Sequence, residues 1–261
     1  MTNILPSLQI IDLALYHKIE NILIIGDIHI GYEEALNKQG LLIPRFQFKE
    51  IILRLEKIFE ALKKKVKKII INGDIKHEFG TISDQEWRHT LRLLDSLAKH
   101  CDEIILIKGN HDTILGPIAR KRKVKIMEQF IICERSELLG SKRKTKKQRK
   151  KNFEKNILII HGHKIPKKIP NNIKTIIIGH EHPAVSLREG PRAELFKCFL
   201  KGKWKKSKLI VIPSFNLITE GTDIAKEELL SPFLQQNLNN FEVYIVADKI
   251  YKFGKLKNIT S

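Results

Sequence analysis

Five short polar blocks in this sequence each begin where a run of apolar residues ends. They combine carboxylate, imidazole and amide side chains, which suit divalent ions such as Mn, Fe, Co, Ni or Zn better than Ca. Because no cysteine belongs to the set, a closed structural zinc site is not indicated. The candidate residues in these blocks are Asp27, His29, Asp74, Asn110, His111, Asp112, His161, His163, His180 and His182.

Each block taken alone is a weak signal, since a Gly-Asp pair is commonly a turn and an isolated histidine is commonly a core or surface residue. The ordered set is more informative. Side chains two residues apart on an extended chain, such as those of His180 and His182, lie on the same side. If all five blocks follow buried strands, their polar groups meet at the crevice outside the carboxyl ends of those strands. The set therefore predicts a metal centre.

The elements that must position these blocks are short, apolar and rich in isoleucine, which is typical of buried strands in mixed α/β sheets. The predicted strands of this kind span residues 21–25, 68–71, 103–107, 156–160, 174–178 and 208–212. A run at residues 11–16 is expected to pair with the first of them as a hairpin. Residues 241–247 and 250–253 predict a second hairpin near the C-terminus.

Two segments between the early strands show helical patterns. Residues 46–65 carry apolar side chains at 3.6-residue spacing. Residues 83–99 begin with Ser83 and have Glu86 three positions later, which is the pattern of a capping box. The chain shows neither an internal repeat nor a linker, so we interpret residues 1–261 as a single α/β domain.

The charge balance points to polyanions. Against 29 Asp plus Glu there are 48 Lys plus Arg, which gives a formal charge of +19. Such a field attracts polyanions, although a biased genome or a hot habitat also produces Lys-rich surfaces. Residues 141–152 read as a mobile basic loop that either contacts phosphates or is only solvated. In the basic stretch 197–208, Phe199 and Trp204 either stack on bases or pack in the core.

The cysteines and the hydropathy pattern indicate the compartment. Cys101, Cys133 and Cys198 are scattered and lack CxxC spacing, which favours a reducing cytosol and hence a cytoplasmic protein. No stretch approaches the ~20 apolar residues that a membrane helix requires. The N-terminal segment also lacks the features of a signal peptide. We therefore expect no membrane association.

The order of the motifs GDxH, GDxxH, GNHD, HG and GHxH resembles that of the calcineurin-like metallophosphoesterases. Within that superfamily, the sequence is most similar to the archaeal SbcD/Mre11-related phosphoesterases and the bacterial ligase-associated DNA damage response endonucleases. This narrower likeness depends on the segments Gly26-Asp27-Ile28-His29-Ile30-Gly31-Tyr32-Glu33, Gly73-Asp74-Ile75-Lys76-His77-Glu78, Gly179-His180-Glu181-His182-Pro183-Ala184 and Ile212-Pro213-Ser214-Phe215-Asn216.

The resemblance implies a four-layer α/β/β/α sandwich of two facing mixed sheets. It also implies two divalent metal ions, with manganese favoured and Fe, Ni, Co or Zn as the alternatives. The ligand set that it implies is Asp27, His29 and His182 for the first metal, Asn110, His161 and His180 for the second, and Asp74 as the bridge. Two cations ~3.5–4 Å apart can share a water, lower its pKa and present hydroxide in line with the phosphorus.

The same resemblance assigns the catalytic roles around the metals. His111 would be the general acid beside the leaving oxygen, and Asp112 would orient it. Substrate contacts are expected from His163, Lys76 and His77, which adjoin the ligands in sequence. Because their neighbours are ligands, Lys76 and His77 are also candidates for positioning roles.

We therefore expect a metal-dependent phosphodiesterase that hydrolyses nucleic acid, with DNA favoured over RNA as substrate. One alternative is a phosphodiesterase for small nucleotides. The other is a nucleic-acid binding module without turnover, against which the intact ligand set counts. The related nucleases carry a capping domain and a C-terminal extension for their ATPase partner. Little chain follows residue 253 here, so we expect no stable Rad50-type ATPase partner. The sequence does not indicate an oligomeric state.

Overall fold

The computed structural model describes residues 1–134 and 156–259. The predicted basic loop at residues 141–152 lies outside the described residues. No helix in the described part of the chain combines the length and the apolar content needed to cross a membrane.

The first sheet joins an antiparallel part to a parallel part. Its strands are β1 (Thr2–Asn3), β2 (Leu8–Ile11), β3 (Ala14–His17), β4 (Ile22–Ile25), β5 (Val66–Asn72), β6 (Cys101–Ile107) and β7 (Lys125–Met127). Their spatial order is their order in the chain. Neighbours from β1 to β4 are antiparallel, and neighbours from β4 to β7 are parallel. The carboxyl ends of β4, β5 and β6 therefore share one edge.

The second sheet is also mixed. Its strands are β8 (Gln129–Ile132), β9 (Asn156–Ile160), β10 (Ile173–Ile178), β11 (Pro183–Glu189), β12 (Arg192–Trp204), β13 (Ser207–Val211), β14 (Thr222–Asp223), β15 (Glu242–Val246) and β16 (Ile250–Lys255). The order is β14-β11-β12-β13-β10-β9-β8, while β15 pairs with β12 and β16. Since β9 and β10 are parallel neighbours, their carboxyl ends also meet at one edge.

The described helices come early in the chain and pack against the first sheet. They are α1 (Tyr32–Lys38), α2 (Gln47–Leu62), α3 (Asp84–Ala98) and α4 (Gly116–Arg122), and a short 3-10 turn, Leu256–Asn258, follows β16. Helix α2 buries Ile51, Leu55 and Ile58 in the shared core, as its apolar spacing predicts. Helix α3 begins with the predicted capping box of Ser83 and Glu86.

The second sheet buries both of its faces, because successive side chains of a strand point to opposite sides. In β9, Ile157 and Ile159 belong to the core shared with the first sheet. Leu158 and Ile160 belong to a separate core on the other face. The two sheets therefore face each other, and the predicted mixed α/β sandwich is confirmed.

The chain that covers the outer face of the second sheet is irregular in the described residues. Residues 224–241 supply Phe233, Leu234 and Leu238 to the outer core, but they form no helix. Pro232 removes a backbone donor, and the asparagines that follow favour turns over helices. Among the described residues, packed loop therefore covers this outer face.

Most predicted elements are present in the structure. All six apolar strands and the C-terminal hairpin are confirmed, with boundaries shifted by one or two residues. The prediction of one strand over residues 11–16 is wrong, because a turn at Asp12, with φ of 53°, separates β2 from β3. Strand β3 still forms the expected hairpin with β4. Phe199 is fully buried, so it packs in the core, and Trp204 packs against Phe233 with ring centroids 4.8 Å apart.

Candidate metal centre

The five polar blocks converge at the edge where the two sheets meet. Each block follows one of the strands β4, β5, β6, β9 and β10 directly. Hydrogen bonds from amide groups connect the sheets there. Asn72 Nδ2 donates to the Ile160 carbonyl at 3.0 Å, the Phe215 amide donates to the Asp27 carbonyl at 2.6 Å, and the His180 amide donates to Asp27 Oδ2 at 2.9 Å.

One cluster of possible metal ligands contains Asp27, His29 and His182, whose ligating atoms lie within 4.8 Å of one another. The Nε2 atoms of His29 and His182 are 3.4 Å apart. His182 Nε2 is also 3.5 Å from Asp27 Oδ2. These residues are the three that the resemblance implied for the first metal.

A second cluster contains Asp74, His161 and His180, also with ligating atoms within 4.8 Å. Asp74 Oδ2 lies 3.6 Å from His161 Nε2 and 4.0 Å from His29 Nε2, so this carboxylate faces both clusters. The clusters adjoin directly, because His161 Nε2 is 2.8 Å from Asp27 Oδ1.

The residues present fit a pair of divalent cations. The Oδ1 atom of Asn110 is buried and has no hydrogen-bond partner, and it is the atom that the resemblance implied as a ligand. Burial, then the charge of Asp27, raises the pKa of Asp74 to about 8. A cation between these carboxylates would remove that electrostatic penalty. Carboxylate, imidazole and amide donors together suit a borderline divalent ion.

Electrostatic coupling holds Asp27 ionised. Burial opposes its charge, but the neighbouring His161 and His182 outweigh burial and keep the pKa of Asp27 well below its usual value. Conversely, burial lowers the pKa of His180 to about 4. A neutral imidazole is the form that binds a metal. The centre thus combines an ionised carboxylate with a neutral nitrogen donor.

Unusual backbone conformations aim several imidazoles into the centre. His29, His180 and His182 have φ of 50°, 64° and 50°, a region that non-glycine residues seldom adopt. Such conformations persist only where the surrounding structure fixes them, and they concentrate at functional sites. Gly179 must be small, because a Cβ there would lie 2.5 Å from Asp27 Oδ2.

The structure corrects the role expected for Asp112. Its carboxylate accepts hydrogen bonds from the amides of Ile75, at 3.2 Å, and Gly109, at 3.2 Å, so it fixes the turns after β5 and β6. The group that orients His111 is instead the carbonyl of His77, which accepts from His111 Nδ1. Because a carbonyl only accepts, the ring carries hydrogen on Nδ1.

The residues expected to contact substrate occupy three different environments. His163 is half-buried, with its Nδ1 2.9 Å from His161 Nδ1, and it lines a cavity of about 260 Å³ beside Asn110. His77 is half-buried next to His29 and His111, with possible ligand atoms of all three within 4.8 Å. Lys76 is fully buried, and its ammonium donates to the Glu78 carbonyl. Lys76 therefore stabilises its own loop, and its burial contradicts the substrate contact expected for it.

Sequence reasoning missed several residues that hold the centre in place. Gln47, at the start of α2, donates to the carbonyls of Ile28 and His29 at 3.4 and 3.3 Å and to Asn216 Oδ1 at 3.0 Å. Glu181 lies between two candidate ligands, but its carboxylate accepts from the amides of Leu230 and Ser231 at 3.3 and 2.7 Å. No local pattern announces these long-range contacts.

Comparison with known proteins supports the family. A family model described as calcineurin-like phosphoesterase matches residues 20–184, which include all five polar blocks. No curated protein matches the sequence. Among solved structures, a protein of unknown function from Aquifex aeolicus shares 20% sequence identity with this chain. The match covers 62% of this chain and 78% of that protein, with a TM-score of 0.37. With more than half of its length matched, the chain belongs to the calcineurin-like phosphoesterase family, whose members are hydrolases that act on phosphoester bonds.

Proposed function

We propose that this hydrolase is a dinuclear metal-dependent phosphodiesterase that cleaves nucleic acid, with DNA favoured. The narrower relationship to SbcD/Mre11-related phosphoesterases and ligase-associated endonucleases belongs to the same proposal. The observation that carries it is the direct contact of two candidate ligand clusters, with His161 Nε2 2.8 Å from Asp27 Oδ1. Asp74 faces both clusters.

The proposed ligands divide between two cations. Asp27, His29 and His182 would hold one cation, and Asn110, His161 and His180 would hold the other, with Asp74 shared. Manganese is the first choice, with Fe, Ni, Co or Zn as alternatives. When bound, such a pair supplies Lewis-acid activation of water and neutralises charge on phosphoryl oxygens. The protein contributes by fixing these donors in buried positions before substrate arrives.

His111 is the proposed proton donor to the leaving oxygen. Its Nδ1 donates to the His77 carbonyl, and its Nε2 is 3.8 Å from Asp74 Oδ2. Burial lowers the pKa of His111 to about 4, so the ring of the free protein is neutral at pH 7. An anionic phosphate beside the ring would raise that pKa. Substrate binding would therefore recruit the proton that the leaving oxygen then takes from Nε2.

The cavity beside the second cluster supports a polyanionic substrate. Lys108 and Lys164 line it together with His163 and Asn110. Lys108 follows β6 and Lys164 follows β9. Glu128 also lines the cavity and pairs with Lys164 at 3.4 Å, so Lys108 supplies the net positive charge. The whole chain carries a formal charge of +19, which favours encounter with nucleic acid.

A substrate panel tests this function. Pure protein with Mn would be incubated with bis-p-nitrophenyl phosphate, end-labelled single-stranded DNA, duplex DNA, RNA and a cyclic dinucleotide, with EDTA as the control. We expect metal-dependent cleavage of the DNA substrates, and the labelled ends would show whether attack is internal or terminal. Turnover of the cyclic dinucleotide alone would favour the small-nucleotide alternative. If no diester is cleaved with Mn, Fe, Ni, Co or Zn, the phosphodiesterase proposal is overturned.

A further inference from the structure

The loop between β5 and α3 places an exposed aromatic ring at the mouth of the centre. Phe79 has 61% of its surface exposed, which leaves a large apolar ring in water. Its ring centroid lies 3.6 Å from that of His111, with the planes tilted by 32°. One face of Phe79 therefore covers His111, and much of the remaining ring is accessible to a ligand.

Contact with a histidine is not by itself unusual in this chain. Phe59 stacks on His100 with centroids 4.0 Å apart, but Phe59 is 7% exposed and belongs to the core. Burial explains that ring without any ligand. For Phe79 burial is no explanation, and its histidine is the proposed proton donor.

The loop that carries Phe79 is held rigidly despite its exposure. Glu86 is fully buried, and its Oε1 accepts from the amides of His77 and Glu78 at 2.9 and 2.8 Å. Its Oε2 accepts from the Ser83 amide at 2.8 Å. The residues on both sides of Phe79 are thus fixed by one carboxylate. A ring on a restrained segment of backbone loses less conformational entropy when a ligand stacks on it.

The same carboxylate couples the ring to the chemistry. His77, whose amide Glu86 holds, presents the carbonyl that accepts from His111 Nδ1. Glu86 therefore positions both the loop that carries Phe79 and the carbonyl that orients His111. A leaving oxygen next to His111 Nε2 would place the adjoining nucleoside close to Phe79.

We propose that Phe79 is a stacking platform for an unpaired nucleobase on the leaving side of the scissile phosphate. The inference rests on the proposed function and specifies its substrate class as single strands or frayed ends, because a base inside a duplex is already stacked. Aromatic side chains bind any base in this way, since every base has a π-face. Phe79 thus confers a requirement for a base without a preference for its identity.

Equilibrium binding with Mn present, on strands whose phosphorothioate linkages resist hydrolysis, tests the platform without turnover. Fluorescence anisotropy would compare a labelled oligothymidylate with an oligomer of the same length that carries abasic sugars. The variants are Phe79→Ala and Phe79→Leu, with Phe253→Ala as the matched control, because Phe253 is a 43% exposed ring on β16. We expect Phe79→Ala to weaken binding of the base-bearing strand by roughly 5- to 150-fold. Binding of the abasic strand should hardly change.

Three outcomes would overturn the inference. They are equal binding of the two strands by the unmodified protein, an equal loss for both strands in Phe79→Ala, and no binding of either strand. Phe79→Leu guards against a folding defect, since it keeps an apolar side chain at this position and should lose the same base-dependent affinity. A protein that cleaves DNA yet shows no base dependence would refute the platform alone. A protein that distinguishes the strands but cleaves no diester would refute the proposed function alone.

Discussion

The two sides of the metal centre supply different chemistry. The first sheet provides both candidate carboxylates, the amide of Asn110 and the proposed proton donor His111. The second sheet provides imidazoles only, from His161, His163, His180 and His182. Negative charge therefore comes from one sheet, and neutral donors come from both. Since the candidate ligands come from both sheets, holding the proposed cations would require the two sheets to stay together at this edge.

The two sides also differ in how they hold their ligands. On the first sheet, backbone amides fix the carboxylates, because the Asp74 amide donates to Asp27 Oδ1 at 3.0 Å and the His111 amide donates to Asp74 Oδ1 at 2.8 Å. On the second sheet, left-handed backbone at His180 and His182 aims the rings, as it also does for His29 on the first sheet. Amide-held carboxylates are thus particular to the first sheet, whereas strained backbone supports imidazoles of both sheets.

The largest expected effect is from removing charge on the first-sheet side. Asp74→Ala should lower the rate of diester hydrolysis by about 10⁴-fold or more, because this carboxylate faces both clusters. Elemental analysis should show less than one equivalent of metal. The control is Asp12→Ala, which removes a carboxylate that pairs with Arg54 at 2.6 Å outside the centre. Two retained equivalents of metal in Asp74→Ala would show that the Asp74 carboxylate is dispensable for metal binding.

A second test separates the proton donor from the ligands. His111→Ala should lose roughly 10²- to 10⁴-fold in kcat while its metal content is unchanged, since general acid catalysis contributes about that much. On the opposite side, His163→Ala should lose less, because His163 is neither a proposed ligand nor the proposed proton donor. Equal losses for these two histidines would contradict the division of roles between the sheets.

A third test addresses strain on the second-sheet side. Gly221 has φ of 117°, and a Cβ there would collide with the carbonyl oxygen of His182. Gly221→Ala should lower the free energy of unfolding by about 1–3 kcal/mol and weaken Mn binding, as followed by denaturation and calorimetry. The matched control is Gly254→Ala, with φ of 88° and no atom within 4 Å of the added Cβ. If both variants bind Mn as the unmodified protein does, the backbone at His182 is not what aims its ring.

The smallest expected effect concerns the cavity of about 260 Å³ that is lined by residues from both sheets. Lys108→Ala and Lys164→Ala should each reduce the slope of log K against log salt by about 0.7 for single-stranded DNA, because each removes one phosphate contact. Lys67→Ala, near the amino end of β5, should leave the slope unchanged. A change in only one of the two cavity variants would assign the strand to one side of the centre.

The sequence predicted the parts of this centre that local patterns encode. Apolar runs that end in Gly-Asp or Gly-His locate the strands and indicate the candidate ligands, and Ser83 with Glu86 marks the start of α3. No local sequence pattern predicts that the ring of Phe79 is exposed, because its exposure depends on the hydrogen bonds that hold the loop. The orienting role assigned to Asp112 failed for a related reason. Proximity in sequence does not reveal that the His77 carbonyl accepts from His111 Nδ1.

The outer layer illustrates the same limit. The apolar residues of the segment 224–241 do not follow helical spacing. Their side chains reach the outer core from irregular backbone. Hairpin β11–β12 was also missed, since its exposed half alternates charged residues over a long ribbon. Both features depend on tertiary contacts rather than on local propensity.

Glu181 connects the irregular segment over the second sheet, residues 224–241, to the candidate metal centre. Its carboxylate accepts hydrogen bonds from the amides of Leu230 and Ser231, while its two neighbours in the chain are candidate ligands. Ser231 Oγ in turn donates to the Gly162 carbonyl at 2.9 Å, beside His161. Truncating this segment or grafting onto it would therefore displace the loops that carry the candidate ligands. A protease cut near residue 231 should inactivate the enzyme although it removes none of those ligands.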